Sequence, residues 1–423
     1  MKSAFILTLI LFALSFNSYS QTREVIDDEA NVPEYQLPDV LTRFNGRKVK
    51  TAKDWIKKQR PEILQKFTEE EYGKVPGAIA ISDVKIWETT HDVLNGKAVR
   101  RQLSLFFKKA DKSLEVNVLM YLPKSSKKIP VFLGYNFSGN HTILNDPNIR
   151  LTESWVNDNP SVGIINNHVT EQSRGCDSNS WPVEEIVKAG YGLVTVYYGD
   201  IDPDRNDLSD GIQPFLYKEN QTSPRFDEWG SIAAWAWGLS RVMDYLEKDE
   251  LVDASKVAII GHSRLGKAAL WAGANDERFA MVISNESGCG GAALSKRIFG
   301  ETIQIINTSF PHWFCGNFKK YNGNEEELSF DQHMLLALIA PRPLYVASAE
   351  DDKWADPRGE FLSAKYASAV YKLMGKEGLP VDEMPEVNKP VMGTIGYHIR
   401  SGKHNLTLFD WQQYIKFADK FFK

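Results

Sequence analysis

The sequence predicts an α/β fold: a doubly wound, mostly parallel sheet with helices on both faces, forming a three-layer sandwich. Short apolar runs have the length of strands that are buried on both faces. Helical patterns separate several of these runs, as in "WGSIAAWAWGLSRVMDYLEK" at 229–248, and this alternation is typical of parallel sheets. The strand-like runs lie at 129–137, 191–199, 256–263, 279–287 and 341–350.

The first residues have a different character. "MKSAFILTLILFALSFNSYSQ" has the positive end, the apolar centre and the small-x-small cleavage site of a secretory signal. We predict that residues 1–20 are a signal peptide and that the mature chain is secreted or periplasmic. The apolar centre is short for a membrane span, and no later stretch is apolar enough to cross a bilayer, so we expect no membrane attachment after cleavage.

Two further patterns precede the first buried strand. Residues 51–72 have apolar side chains near helical spacing, and Pro61 should break or restart that helix. The runs at 98–107 and 114–123 alternate apolar and polar residues, which predicts an antiparallel hairpin at one edge of the sheet.

Composition limits the class of protein. The 423 residues carry a net charge of −5, so no basic surface indicates nucleic-acid binding. Three cysteines, Cys176, Cys289 and Cys315, are too few to hold a chain of this size together, so the hydrophobic core must do so. We expect a monomer with an N-terminal lead-in segment at 21–50 and a single catalytic domain at 51–423.

The run "KVAIIGHSRLGKAALWA" at 256–272 carries the strongest chemical signal. A buried strand, a turn containing Ser263 and a helix follow one another, which is the context of a nucleophile elbow. The free N–H groups at the start of the following helix favour negative charge, and the N–H of Arg264 would face a tetrahedral oxyanion. The turn departs from G-x-S-x-G because Leu265 occupies the second glycine position and Gly266 follows it.

A serine nucleophile needs a histidine base and an acid that orients it. His404, in the glycine-containing loop "SGKHNLTLFDW", is the candidate base, whereas His398 lies in an alternating stretch and is predicted to be structural. The acid has two candidates. Asp352 follows the strand that usually carries the acid, and Glu286 follows the preceding strand among small residues.

Two cations accompany the serine. Lys267 is four residues after Ser263, so a helix places both on one face, and Arg264 is adjacent to Ser263. Ordinary esterase pockets are apolar. Two cations therefore indicate an electron-rich, hydroxylated acyl group.

The chain resembles the bacterial members of the glucuronoyl esterases, carbohydrate esterase family 15. The resemblance begins near residue 50, and its most specific motif is S-R-x-G-K at 263–267. Further matching segments are "GYNFSGNH" (134–141), "RGCDSNSWPVEEI" (174–186), "GDIDPD" (199–204), "FPHWFCGNF" (310–318), "DQHMLLALIAPRPLY" (331–345) and "WADP" (354–357).

The resemblance implies an α/β-hydrolase fold and no cofactor. We also expect no metal, because no pair of histidines has metal-ligand spacing with a third ligand nearby. It also implies cleavage of the ester between 4-O-methyl-glucuronic acid on xylan and alcohols of lignin. By position, it makes Ser263 the nucleophile, His404 the base, Glu286 or Asp352 the acid, and Arg264 an oxyanion donor. Lys267, Glu301 and Trp354 would bind the sugar. Fungal members have a disulfide beside the nucleophile and the histidine; His262 and Asn405 stand at those positions here.

Two other functions remain open at this stage. An acetyl-xylan or other carbohydrate esterase would use the same triad and would prefer acetyl esters. A secreted carbohydrate-binding protein with a dead site would bind sugar without turnover.

Overall fold

The computed structural model describes residues 25–423. The predicted signal peptide therefore lies outside the described residues, and the division of the chain into a lead-in and one catalytic domain stays a prediction. No helix from Val25 to Lys423 is both long and apolar enough to cross a bilayer. Cys176, Cys289 and Cys315 are all free thiols.

One large sheet organises the described chain. Its strand order is β1-β2-β3-β7-β4-β8-β9-β10-β12-β11, and strands β7 to β12 in that order run parallel. β5 and β6 form a separate small hairpin. The strands are β1 Asp83–Asp92, β2 Ala98–Lys109, β3 Lys112–Pro123, β4 Ile129–Asn136, β5 Ile164–Ile165, β6 His168–Val169, β7 Gly192–Tyr197, β8 Val252–His262, β9 Met281–Asn285, β10 Leu344–Ala349, β11 Val391–Met392 and β12 Ile395–Arg400.

Helices cover both faces of the sheet and give it two hydrophobic cores. Helices α5, α6, α8 and α9 contribute to the larger core, and α4 and α10 contribute to the core on the opposite face. The predicted three-layer sandwich is thus confirmed. The helices are α1 Ala52–Asp54, α2 Arg60–Phe67, α3 Val93–Gly96, α4 Val183–Lys188, α5 Ser231–Leu246, α6 Arg264–Asn275, α7 Ile303–Ser309, α8 Gln332–Ala337, α9 Pro357–Leu373 and α10 Leu408–Phe422.

The segment predicted as a helix at 51–72 is helical, but with two wide turns. π-helical turns at Trp55–Gln59 and Thr68–Tyr72 flank α2, and Thr51 caps the start of α1. Pro61 lies in the first turn of α2, where a missing N–H costs little, so the proline restarts the helix rather than ending it.

The predicted hairpin forms as β2 and β3, but a further strand lies outside it. β1 pairs with β2 and is mostly exposed to solvent, with a register shift between Ile86 and Glu88. Charged residues in β1 weaken the alternation that marks a strand. Such charges are common on edge strands, where they prevent pairing with other chains.

The parallel strands define the location of the site. The residues predicted to be functional follow the carboxyl ends of β8, β9, β10 and β12, and carboxyl ends of parallel strands meet at one edge of the sheet.

Candidate active site

Ser263 occupies a strained turn between β8 and α6. Its φ of 57° and ψ of −130° are rare for a residue with a side chain, and such strain costs about 1–3 kcal/mol. Its N–H donates to the carbonyl of Asn285 at 2.9 Å, and its carbonyl accepts from the N–H of Gly266 at 2.9 Å. The turn has the strained strand-to-helix geometry of a nucleophile elbow.

Two glycines allow this turn to close. A Cβ at Gly261 would lie 1.9 Å from the carbonyl oxygen of Leu265, so no other residue fits there. A Cβ at Gly266 would lie 2.9 Å from Cβ of Ser287, in the loop after β9. Gly266, one position later than the second glycine of G-x-S-x-G, is therefore the residue that lets α6 pack closely against the loop after β9. Leu265, at the usual glycine position, is buried in the core.

His404 meets both candidate acids at one ring nitrogen. Its Nδ1 lies 2.6 Å from Oδ2 of Asp352 and 3.3 Å from Oε2 of Glu286. His404 and Ser263 line the same cavity, and Nε2 is the ring nitrogen left for the hydroxyl. His398, in contrast, is buried in β12 with its Nε2 2.8 Å from Oδ1 of Asp410.

The two carboxylates have different surroundings. Glu286 has a φ of 48° and accepts from Nη2 of Arg400 at 2.6 Å and from the N–H of Asn405 at 3.0 Å. Its side chain is fully buried, whereas that of His404 is 42% exposed. Asp352 lies three residues after β10, and its side-chain hydrogen bond is to His404.

These carboxylates set the charge of the histidine. Burial by itself would lower the pKa of His404, but the hydrogen bonds to Asp352 and Glu286 raise it to about 9. Burial raises the pKa of Glu286 to about 7, against the opposing effects of His404 and Arg400. The two carboxylates therefore favour the protonated form of His404.

Arg264 is held beside the serine by a buried acid. Its Nη1 donates to Asp204, which also accepts from Nε2 of His312 at 2.9 Å and from Nε1 of Trp313 at 2.7 Å. The guanidinium lies 5.0 Å from the centre of the Trp313 ring. Its Nε is buried and makes no hydrogen bond to any group from Val25 onward, while the side chain as a whole is 26% exposed.

Lys267 is buried, not a solvated helix residue. Its ammonium donates to the carbonyl of Ser287 and lies 3.9 Å from Oε2 of Glu301. Glu301 joins Trp354 through its N–H, which donates to the Trp354 carbonyl at 3.0 Å, and the Trp354 side chain is 48% exposed. The three predicted sugar-binding residues thus form one chain of contacts that starts four residues after Ser263.

Comparison with known proteins identifies the family. A family model described as fungal glucuronyl esterase matches residues 179–375. Carbohydrate esterase MZ0003, from an unknown prokaryotic organism, is 53% identical over 405 residues, which cover 95% of this chain and 93% of the relative.

The chain belongs to the glucuronoyl esterases of carbohydrate esterase family 15.

A solved structure and a fungal relative agree with this assignment. The glucuronoyl esterase from Solibacter usitatus is 49% identical with a TM-score of 0.88, covering 93% of this chain and all of that one. The 4-O-methyl-glucuronoyl methylesterase 1 of Phanerochaete chrysosporium is 32% identical over 216 residues, 47% of this chain and 44% of its own. The resemblance and the α/β-hydrolase fold are confirmed, and this family member is a carboxylic ester hydrolase. The roles of individual residues stay predictions.

In this glucuronoyl esterase, the grouping of Glu286, Asp352 and His404 also has the proximity of a metal site, with ligand atoms within 4.8 Å of one another. Two ligands of one zinc ion, each at about 2.1 Å in tetrahedral geometry, would lie about 3.4 Å apart. Nδ1 of His404 and Oδ2 of Asp352 are 2.6 Å apart, which is the length of a charge-assisted hydrogen bond. The spacing favours an acid–base pair over a metal site.

Sequence reasoning missed three supporting residues of the esterase site. Arg400 links Glu286 to Asp410 and to the carbonyl oxygens of Lys403 and Asn405, so it braces the His404 loop. Asp204 positions Arg264, and the ring of His262 packs 4.5 Å from that of His404. "GDIDPD" contains Asp204 and matches the family, but nothing in its residue types indicates which cation it pairs with.

Proposed function

We propose that this chain is a secreted or periplasmic serine esterase that hydrolyses the ester between (4-O-methyl-)glucuronic acid of xylan and an alcohol of lignin. One observation supports the acyl part most strongly: two cations, Arg264 with a side chain that is 26% exposed and the buried Lys267, flank the elbow serine. Arg264 already pairs with Asp204, and Lys267 already donates to the Ser287 carbonyl. A hydroxylated uronate would add hydrogen-bond acceptors for both cations, whereas a simple acyl chain would add none.

In the first step His404 takes the proton of the Ser263 hydroxyl, and Oγ attacks C6 of the uronate ester. The tetrahedral intermediate places negative charge on the former carbonyl oxygen. The backbone N–H of Arg264 and its guanidinium, whose side chain is 26% exposed, are the donors proposed for this oxygen. Loss of one such donor typically lowers kcat by about 10²- to 10³-fold.

The C–O bond to the alcohol then breaks, and His404 returns its proton to the leaving alkoxide. Asp352 and Glu286 stabilise the imidazolium between these two transfers, with Asp352 as the nearer partner. A water molecule next attacks the glucuronoyl-enzyme with His404 as base, and this releases glucuronic acid and restores the serine hydroxyl. The protein's own groups and one water molecule complete this cycle, so the proposed mechanism uses no cofactor.

Three residues beyond the triad position the sugar. Lys267 and Glu301 provide a buried charged pair for the ring hydroxyls, and the exposed face of Trp354 provides an apolar surface for the ring. Holding the ring there orients C6 towards Ser263 and contributes rate through positioning. Relatives named 4-O-methyl-glucuronoyl methylesterases support this substrate.

The purified enzyme is tested on benzyl glucuronate, with release of glucuronic acid as the readout. We expect turnover by the unmodified enzyme and a loss of at least about 10⁴-fold in Ser263→Ala, with an unchanged circular dichroism spectrum. Turnover of acetylated xylan without turnover of the uronate ester would instead indicate an acetyl-xylan esterase. Binding of the ester without any hydrolysis would indicate a dead site.

Secretion is tested separately. Expression with the native N-terminus should yield an exported protein whose first residue is Gln21. Retention of the full chain in the cytoplasm would contradict the predicted signal peptide.

A further inference from the structure

A groove lies between the N-terminal lead-in segment and helix α9, away from the serine. Its walls are the lead-in residues at 32–36, the turn at 296–298, and three side chains spaced along α9, Arg358, Leu362 and Tyr366. Its volume is about 1090 Å³, which is at the upper end of the range for ligand clefts. We call it the lead-in groove.

Ion pairs join the two walls of this groove. The guanidinium of buried Arg297 donates to Glu29 of the lead-in segment at 2.7 Å and to Asp356, the residue that caps α9, at 2.8 Å. Glu29 also lies 3.6 Å from the guanidinium of Arg358, in the first turn of α9. The lead-in segment is therefore attached to α9, and the groove between them is part of the fold.

The groove begins next to the predicted sugar-binding residues. Gly300, directly before Glu301, donates its N–H to the carbonyl of Ile26 in the lead-in segment at 2.8 Å. A Cβ at Gly300 would lie 2.5 Å from the carbonyl oxygen of Trp354, so the turn that carries Glu301 packs directly on the loop that carries Trp354. Arg358, which lines the groove, follows Trp354 by four residues. The groove thus continues from the Trp354 end of the sugar-binding contacts.

The proposed substrate explains why a groove at this place matters. Its uronate is a branch of a xylan chain, so that chain must leave the site on a side that is open to solvent. The side chains of Lys267 and Glu301 are buried, whereas that of Trp354 is half exposed. A uronate held by these residues therefore directs its attached chain past Trp354, towards the lead-in groove.

The walls have the chemistry of a site for neutral sugars. Three cations and three carboxylates line the groove: Lys296, Arg297, Arg358, Glu29, Glu34 and Glu326. This balance gives no net attraction for a polyanion, but it offers both donors and acceptors to hydroxyl groups. Tyr366, which is 41% exposed, adds an aromatic face. It lies eight residues after Arg358, about 12 Å along a helix, so the groove is longer than one sugar ring.

We propose that the lead-in groove binds the xylan main chain that carries the glucuronoyl ester. The proposal rests on the proposed glucuronoyl esterase function and adds a polysaccharide subsite outside the reacting centre. An ester of free glucuronic acid contacts only the residues around Ser263, whereas an ester on a xylo-oligosaccharide also fills the groove.

Tyr366 tests the groove without altering any residue around Ser263. Tyr366→Ala removes an exposed ring from α9. Phe421→Ala is the matched control, because Phe421 on α10 is 36% exposed and is not among the lining residues. The readout is a ratio: kcat/KM for benzyl glucuronate linked to a xylo-oligosaccharide, divided by kcat/KM for benzyl glucuronate alone.

We expect the unmodified enzyme to favour the oligosaccharide ester by about tenfold or more, because only that substrate contacts the groove. Tyr366→Ala should lower the ratio by about threefold or more and leave kcat/KM for benzyl glucuronate unchanged. Phe421→Ala should leave both values unchanged. A ratio near one in the unmodified enzyme, or an unchanged ratio in Tyr366→Ala, would overturn the xylan subsite and leave the proposed function intact. Hydrolysis of neither ester would overturn the proposed function, and the subsite with it.

A second copy of this chain is the competing occupant of the groove. Size-exclusion chromatography at the assay concentration tests it, and we expect a monomer for both the unmodified enzyme and Tyr366→Ala. A dimer that Tyr366→Ala dissociates would overturn the proposal, because it would assign the groove to a contact between protein chains.

Discussion

The turns after β9 and β10 each bring a carboxylate to His404, but they are built differently. Glu286 belongs to a buried network in which Arg400 bridges it to Asp410, and it also accepts from the backbone of the His404 loop. Asp352 is closer to the imidazole and is outside that network. This difference predicts that Glu286 mainly supports the loop that carries His404, whereas Asp352 mainly orients the imidazole ring.

We expect the largest loss of activity when Asp352 is replaced. Asp352→Asn removes the charge nearest to the imidazole, so we expect kcat/KM for benzyl glucuronate to fall about 10²- to 10⁴-fold, with little change in Tm. Glu286→Gln is the matched variant, with a loss of about tenfold or less. A larger loss in Glu286→Gln than in Asp352→Asn would reverse the assignment of the two roles.

Arg400 tests the structural side of the comparison. Arg400→Met leaves Glu286 and Asp410 buried without their cation, so the free energy of unfolding should fall by about 3–5 kcal/mol. Urea denaturation followed by tryptophan fluorescence measures this change. A loss below 1 kcal/mol would show that the network does not stabilise the fold.

The pH dependence sharpens the electrostatic difference. His404 must be neutral to accept a proton, and its pKa is raised to about 9 because hydrogen bonds to Asp352 and Glu286 outweigh the effect of burial. We expect kcat/KM to rise with pH and to level off above about pH 9, where His404 is neutral, after subtraction of non-enzymatic hydrolysis.

Asp352→Asn and Glu286→Gln should differ in the pH at which kcat/KM levels off. In Asp352→Asn the imidazolium loses its nearest anion, so the ring loses its proton at lower pH. The rise in kcat/KM should therefore occur at lower pH than in the unmodified enzyme. The shift in Glu286→Gln should be smaller, because Glu286 is the more distant partner. A rise at unchanged pH in Asp352→Asn would contradict the role of Asp352.

The smallest effect concerns a remote brace of the Asp352 turn. Asp356, which caps α9, pairs with buried Arg297, and Arg297 pairs with Glu29 at 2.7 Å. Glu29 is 45% exposed, so Glu29→Gln should change the free energy of unfolding by about 1 kcal/mol or less and leave kcat/KM unchanged. A marked rise in KM would show that the lead-in segment shapes the site.

Much of the site was predictable because its signals are local. Ser263, Arg264 and Lys267 lie within one turn, where backbone geometry alone sets their relation. The buried strands were also predictable, since a parallel strand covered on both faces must be apolar along its length. β1 was missed because an exposed edge strand is under no such constraint.

Contacts between side chains that are far apart in the chain could not be predicted from the sequence. The two candidate acids, Glu286 and Asp352, are 66 positions apart, and both carboxylates contact one nitrogen of His404. Asp204, 60 positions before Arg264, accepts a hydrogen bond from its guanidinium. No residue spacing encodes either arrangement.

Periodicity and turn chemistry act over a few residues, so the α/β architecture, the elbow at Ser263 and the two cations beside it follow from the sequence. Tertiary packing sets which carboxylate lies nearest to His404 and what holds Arg264 in place. Those features depend on side chains that come from separate strands and meet only when the sheet assembles and water is excluded between them.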